Sequence, residues 1–199
     1  MADDVVLAPP GVQAPAKKKS LWKSILLVLL GLIALLLIVV ALQPDDFRYS
    51  RSTVIAAKPE VVFPHVNDLK QWDDWSPWAK LDPNMKEEYS DPTSGKEAWH
   101  SWNGNAEVGE GKMTIVESRP SELIRIRLEF LKPMQAVNDT EFTFKPEGEG
   151  TRVTWTMAGK NGFVGKLFCL LMNMEKMLGD QFAQGLAKMK EVVESKPVK

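Results

Sequence analysis

The chain has 199 residues, 44% hydrophobic and 26% charged, with 25 lysines and arginines against 26 aspartates and glutamates. That balance gives no strong overall basic field calling for nucleic acid, and the single cysteine, Cys169, excludes an internal disulfide. His65 and His100 have no cysteine or second histidine at ligand spacing, so neither a metal nor any other cofactor is expected.

Residues 1–20 carry Pro9, Pro10, Pro15, several alanines and Lys17, Lys18 and Lys19 with no apolar period, the composition of a disordered leader. An unbroken apolar run then extends from Ser24 to Leu42 without a charged residue. At 1.5 Å rise per residue, about 20 residues match the hydrocarbon thickness of a bilayer, so residues 21–43 are expected to form one transmembrane helix. Trp22 sits at its entry, and Lys17, Lys18, Lys19 and Lys23 before it place the N-terminus in the cytoplasm by the positive-inside bias. A cleaved secretory signal is the alternative, with Val39, Val40 and Ala41 as small residues near a cleavage point. The length of the run and of its leader favours an uncleaved anchor, and both readings send residues 45–196 out of the cytoplasm. A bacterial inner membrane fits this layout.

The remaining length suits one domain with a sizeable core. Residues 47–56 alternate as a strand. Lys58-Pro59-Glu60 starts a helix that Pro64 keeps short or bent, and Asp68 caps a second short helix ending before Ser76-Pro77. From Met85 the period becomes two, giving strands over 85–89, 96–103, 110–118, 122–131, 136–144 and 151–157. The breaks hold Asp91-Pro92, Gly104, Pro120, Pro133, Pro146 and Gly148, so the six strands form an antiparallel meander. The segment 122–131 is the clearest: Ile124, Ile126, Leu128 and Phe130 share one face, Arg125, Arg127 and Glu129 the other. After Gly162 apolar residues recur by threes and fours from Leu167 through Leu171, Met174, Met177, Leu178, Phe182 and Leu186 to Val193. One long C-terminal helix is expected to cover the apolar face of the sheet.

Five segments in this order resemble a known family: Ala57 to Phe63; Trp72, Trp75 and Ser76-Pro77-Trp78; Gly104 to Gly111; Gly150 to Trp155; and Gly185-Leu186. Over about residues 47–194 the chain is similar to the START-like (SRPBCC) superfamily, of polyketide cyclase/dehydrase and lipid-transport type. The resemblance implies an α+β helix-grip fold, a curved antiparallel sheet wrapped around a long C-terminal helix, here preceded by one transmembrane helix. It also implies a cavity between sheet and helix that in relatives holds lipids, polyketides or other apolar molecules, without implying one reaction.

The expected cavity wall is Trp72, Trp75, Trp78, Met113, Ile124, Ile126, Leu128, Phe142, Trp155, Leu171, Met174 and Leu178. The three tryptophans of 72–78 serve either as an aromatic gate or as a plug for the open end of the core. Met172, Met174, Met177 and Met189 offer soft surface to a ligand or fill the core. His100 has Asp139 and Glu141 as distant candidate partners, and no catalytic constellation stands out. The leading reading is a membrane-anchored module that binds an apolar small molecule or lipid. The alternatives are a cyclase/dehydrase-like enzyme and a non-catalytic interaction domain with a filled core. Oligomeric state is not legible in the sequence.

Overall fold

The computed structural model describes residues 21–195. The expected disordered leader, residues 1–20, lies outside them. The chain divides into two compact units, one ending at Val39 and one running from Val40.

The N-terminal unit carries most of α1, Leu21–Ala41, with a mean hydropathy of 3.3. Length and composition make it able to cross a membrane, a property shared with signal sequences.

In the second unit, β1 (Asp46–Ile55) is followed by α2 (Pro59–Val62), α3 (Pro64–Asn67) and a 3-10 turn, Leu69–Asp74. Then come β2 (Lys86–Tyr89), β3 (Trp99–Asn103), β4 (Glu110–Arg119), β5 (Leu123–Lys132), β6 (Ala136–Glu147), β7 (Gly150–Lys160), α4 (Phe163–Leu171) and α5 (Met174–Glu194). Pro64 splits the first expected helix into two single turns by starting a new one, since it has no amide to continue the old. Asp68 caps the 3-10 turn as expected, its Oδ1 accepting from the Lys70 amide at 3.2 Å.

The seven strands form one antiparallel sheet in the order β1-β7-β6-β5-β4-β3-β2. The meander runs from β2 to β7, and β1 pairs with β7. Register shifts in β4 at Glu110/Gly111 and Ile115/Glu117 bend the sheet, as bulges do. The concave face carries Ile124 and Ile126 of β5, Phe142 and Phe144 of β6, and Val153 and Trp155 of β7, all buried. Arg125 and Arg127 point outward: Arg125 bridges Glu117 at 2.8 Å and Glu141 at 3.0 Å, and Arg127 meets Glu129 at 3.2 Å.

The expected long C-terminal helix is present as α5, but the apolar period from Gly162 onward does not form one continuous helix. It forms two helices, broken at Met172, whose backbone is extended, and restarted by Asn173, whose side chain accepts from the Lys176 amide at 2.9 Å. Only α5 buries its stripe, through Phe182, Leu186, Met189 and Val193. On α4 the apolar residues Phe163, Val164, Phe168, Leu170 and Leu171 are exposed. Lys166 is the buried residue there, paired with Asp45 just past the end of α1. The far end of α5 is tied to β1, with Lys190 Nζ donating to the Val54 carbonyl at 2.6 Å and the Ala56 amide to Glu194 Oε1 at 2.7 Å. Gly185 explains how closely α5 approaches the sheet. A Cβ there would lie 3.0 Å from both Pro77 Cδ and Trp155 Cζ3, so a larger residue would push the helix off the aromatic core.

Candidate ligand cavity

Trp155 is the centre of an aromatic cluster. Its ring stacks on Phe182 at 4.4 Å and Phe142 at 4.9 Å, and receives Trp75, Trp78 and Trp72 edge-on at 5.6, 5.8 and 6.0 Å. The segment 72–78 is held onto this cluster by two indole hydrogen bonds, from Trp72 Nε1 to the Val66 carbonyl at 3.0 Å and from Trp75 Nε1 to the His65 carbonyl at 2.8 Å. Residues 72–78 thereby form a cap of three indoles on the ring cluster.

Beside them, between the concave face of the sheet, the segment 72–79 and α5, the packing opens into a cavity of about 250 Å³. Met113, Ile126, Leu128, Phe130, Trp155 and Met157 of the sheet, Trp72 and Trp78 of the cap, and Leu178 and Phe182 of α5 form its apolar wall. Asp73, Ser76, Glu87, His100, Glu107 and Thr140 supply its polar groups.

The expected wall residues therefore fall into three sets. Trp72, Trp78, Met113, Ile126, Leu128, Trp155 and Leu178 line the cavity. Trp75, Ile124 and Phe142 are buried in the adjoining core. Leu171 and Met174 lie elsewhere, around a shallow depression at the α4–α5 junction with Tyr49, Cys169 and Asn173, because the break at Met172 carries them away from the sheet's concave face. Phe130, Thr140 and Met157 were missing from the expected wall although alternation signals them, each being two residues from an expected one.

His100 is buried, and its partner is neither Asp139 nor Glu141 but Glu87 on the neighbouring strand, Nε2 to Oε1 at 2.9 Å. Its ring stacks on Tyr89 at 4.4 Å and lies 5.7 Å from Trp102. Burial pushes the imidazole below its ordinary value of 6.5, and the Glu87 carboxylate, acting in the opposite sense, does not cancel this. The ring is therefore neutral near pH 7, with Nε2–H assigned as the donor to Glu87 from the hydrogen-bond geometry. Burial, then the charges of Glu87 and Asp74, raises the Asp73 carboxyl.

A folded-state value depressed below 6.5 means that the unfolded chain binds the proton more readily. Stability from this site is therefore complete above that value and is lost as pH falls through it, levelling off below the folded-state value. The melting temperature is expected to fall as pH is lowered from neutral through about 6.5, with part of that fall absent in His100→Gln, as thermal scans across that range would record. Identical pH profiles for the two proteins would mean that His100 does not contribute.

Among the described residues no group of three His, Cys, Asp or Glu is placed to hold a metal ion. The wall instead combines a large apolar area with one oriented imidazole.

The family model described as polyketide cyclase / dehydrase and lipid transport matches residues 46–194. No curated protein matches the chain. Solved structures share the fold: a protein from Thermus thermophilus is 20% identical with a TM-score of 0.55, covering 76% of this chain and 100% of its own. The Aha1 dimer from Colwellia psychrerythraea is 13% identical with a TM-score of 0.55, covering 76% and 99%. Ara h 8.0201 is 12% identical with a TM-score of 0.54, also covering 76% and 99%. At these identities the likeness is one of fold, and it matches the helix-grip arrangement described above.

Proposed function

The chain belongs to the polyketide cyclase / dehydrase and lipid transport family, and from that premise we propose that residues 45–196 are a membrane-anchored domain that takes an apolar small molecule, or one chain of a lipid, into the cavity beneath α5. The observation that carries this reading is the cavity itself: about 250 Å³ left open beside the closely packed ring cluster. On the scale where an apolar cavity of about 150 Å³ holds benzene, it suits roughly ten heavy atoms of ligand. That is a single chain or a small ring system rather than a whole phospholipid.

The anchor gives the reading a physical sense, since a tethered cavity works at high effective concentration beside a bilayer that dissolves apolar molecules. The positive-inside bias of Lys17, Lys18, Lys19 and Lys23 supports a cytoplasmic N-terminus, and with it a domain on the outer side of a bacterial inner membrane. The exposed apolar residues of α4, a helix held by Lys166 to Asp45 just after the apolar run, put greasy surface near the point where the chain leaves the membrane.

The test is solvent extraction and mass spectrometry of the full chain purified from membranes. An apolar species in near-equal molar ratio to protein is expected. Bare protein that takes up no added apolar compound would favour an interaction domain with a filled core.

A second reading, a cyclase/dehydrase-like enzyme, is favoured by one observation. A neutral imidazole held by a carboxylate in the wall of a ligand cavity has the form of a general base, with Glu87 orienting His100. Under that reading His100→Gln abolishes turnover while ligand uptake survives. Under the binding reading it leaves delivery of the ligand intact.

A further inference from the structure

The cavity wall holds three carboxylates, Asp73, Glu87 and Glu107, and no lysine or arginine. Lys70, on the same 3-10 turn as Asp73, is not part of the lining, and its Nζ sits over the Tyr89 ring, 5.7 Å from the centroid. His100 adds no positive charge while its ring is neutral. All three carboxylates are exposed to solvent at the rim of the cavity, so a carboxylate or phosphate approaching here meets like charges, screened by water, and no cation in the lining to take the place of its hydration.

The inner wall is not purely apolar either. Thr140 is 4% exposed and Trp155 is 2% exposed, and neither Thr140 Oγ1 nor Trp155 Nε1 has a hydrogen-bond partner among the described residues. Thr140 is paired in register with Met157, and Phe142 with Trp155, so Thr140 and Trp155 are diagonal neighbours on one face of β6 and β7. Such neighbours have Cβ atoms roughly 7 Å apart, close enough for one ligand oxygen to serve both after a side-chain adjustment. Leaving both groups buried and unpaired is unfavourable, and in native proteins such groups are uncommon. An indole N–H only donates, so what it lacks is an acceptor. His100 Nδ1, also buried without a partner, is left as an acceptor once Nε2–H faces Glu87.

Resting on the cavity reading above, we propose that the ligand class is an uncharged hydrophobe bearing an alcohol or ketone oxygen, which Thr140 and Trp155 receive at the inner wall, and that the acidic lining excludes carboxylates and phosphates. The test uses the full chain in phosphatidylcholine nanodiscs at pH 8, with empty nanodiscs as the reference. Decan-1-ol, decan-2-one, decanoate and decane compete for bound 1-aminoanthracene, a neutral apolar fluorophore. The alcohol and ketone are expected to displace it at least about tenfold more tightly than decanoate. Asp73→Asn with Glu107→Gln should raise decanoate affinity severalfold without changing decane. Thr140→Val, of equal shape, should weaken decan-1-ol severalfold, leave decane unchanged, and keep or raise the melting temperature, because it removes an unpaired hydroxyl.

Decanoate binding as tightly as the alcohol would overturn the proposal, and so would a Thr140→Val protein with unchanged alcohol affinity. Decane binding without preference for the oxygenated compounds would also overturn it, while leaving the cavity reading intact. Failure of all four compounds and of the fluorophore would overturn both.

Discussion

Replacing Trp155 by alanine is expected to lower the unfolding free energy by about 3–5 kcal/mol, a large part of the roughly 5–15 kcal/mol that a domain of this kind possesses. The indole is 2% exposed, stacks on Phe142 from the sheet and on Phe182 from α5, and takes the edges of Trp72, Trp75 and Trp78. Its removal thus loosens sheet, cap and helix together, and the void it leaves joins the existing cavity, whose wall it forms. Trp99 gives the contrast: it is half-buried on β3, with Lys112 Nζ 4.5 Å from its ring, so Trp99→Ala should cost about 1 kcal/mol or less. Denaturant titration of the full chain in detergent, followed by near-UV circular dichroism, measures both. Equal losses at the two positions would show that the core is not organised around Trp155.

The fold was legible where chain geometry alone decides the outcome. Strands of the meander announce themselves because apolar and charged residues alternate between fixed turn formers, and a slip of one residue in 122–131 would bury Arg125 and Arg127. The break in the C-terminal helix was not legible from periodicity, since Leu167, Leu170, Leu171 and Met174 continue the spacing across it. Its signal lay in a different property, an asparagine able to cap with Glu175 in the following first turn.

The candidate site was legible only in part, for a related reason. Alternation assigns a residue to a face of the sheet but not to a place along it. Ile124 and Ile126 share the concave face, yet Ile126 borders the cavity while Ile124 is covered by the core. The pairing of His100 with Glu87 needed the β2–β3 register, which sets Tyr89 opposite His100 and Trp102 opposite Glu87, and the long connection between those strands carries no two-residue hairpin signal to fix it. Asp139 and Glu141 are carboxylates on a strand two hairpins later, but Glu141 is committed to Arg125 on the outer face and Asp139 lies opposite Arg127.

Leu178→Trp is expected to abolish uptake of the apolar ligand without unfolding the domain. Leu178 is half-buried on α5 and lines the cavity beside Phe182, so an indole there grows into space that is already open rather than into packed side chains. Filling a void of this kind stabilises a protein by about 0.5–2 kcal/mol, whereas overpacking a filled core destabilises it by about 1–3 kcal/mol. The sign of the change in melting temperature therefore reports on the cavity independently of binding. Uptake lost together with a maintained or raised melting temperature places the ligand beneath α5. Uptake retained would move the ligand to another surface, and a lowered melting temperature would mean that the core around Leu178 is already full. Leu178→Phe, with a smaller increase in bulk, should fall between wild type and Leu178→Trp in both measurements, since each added ring atom removes volume that the ligand and the empty state would otherwise share.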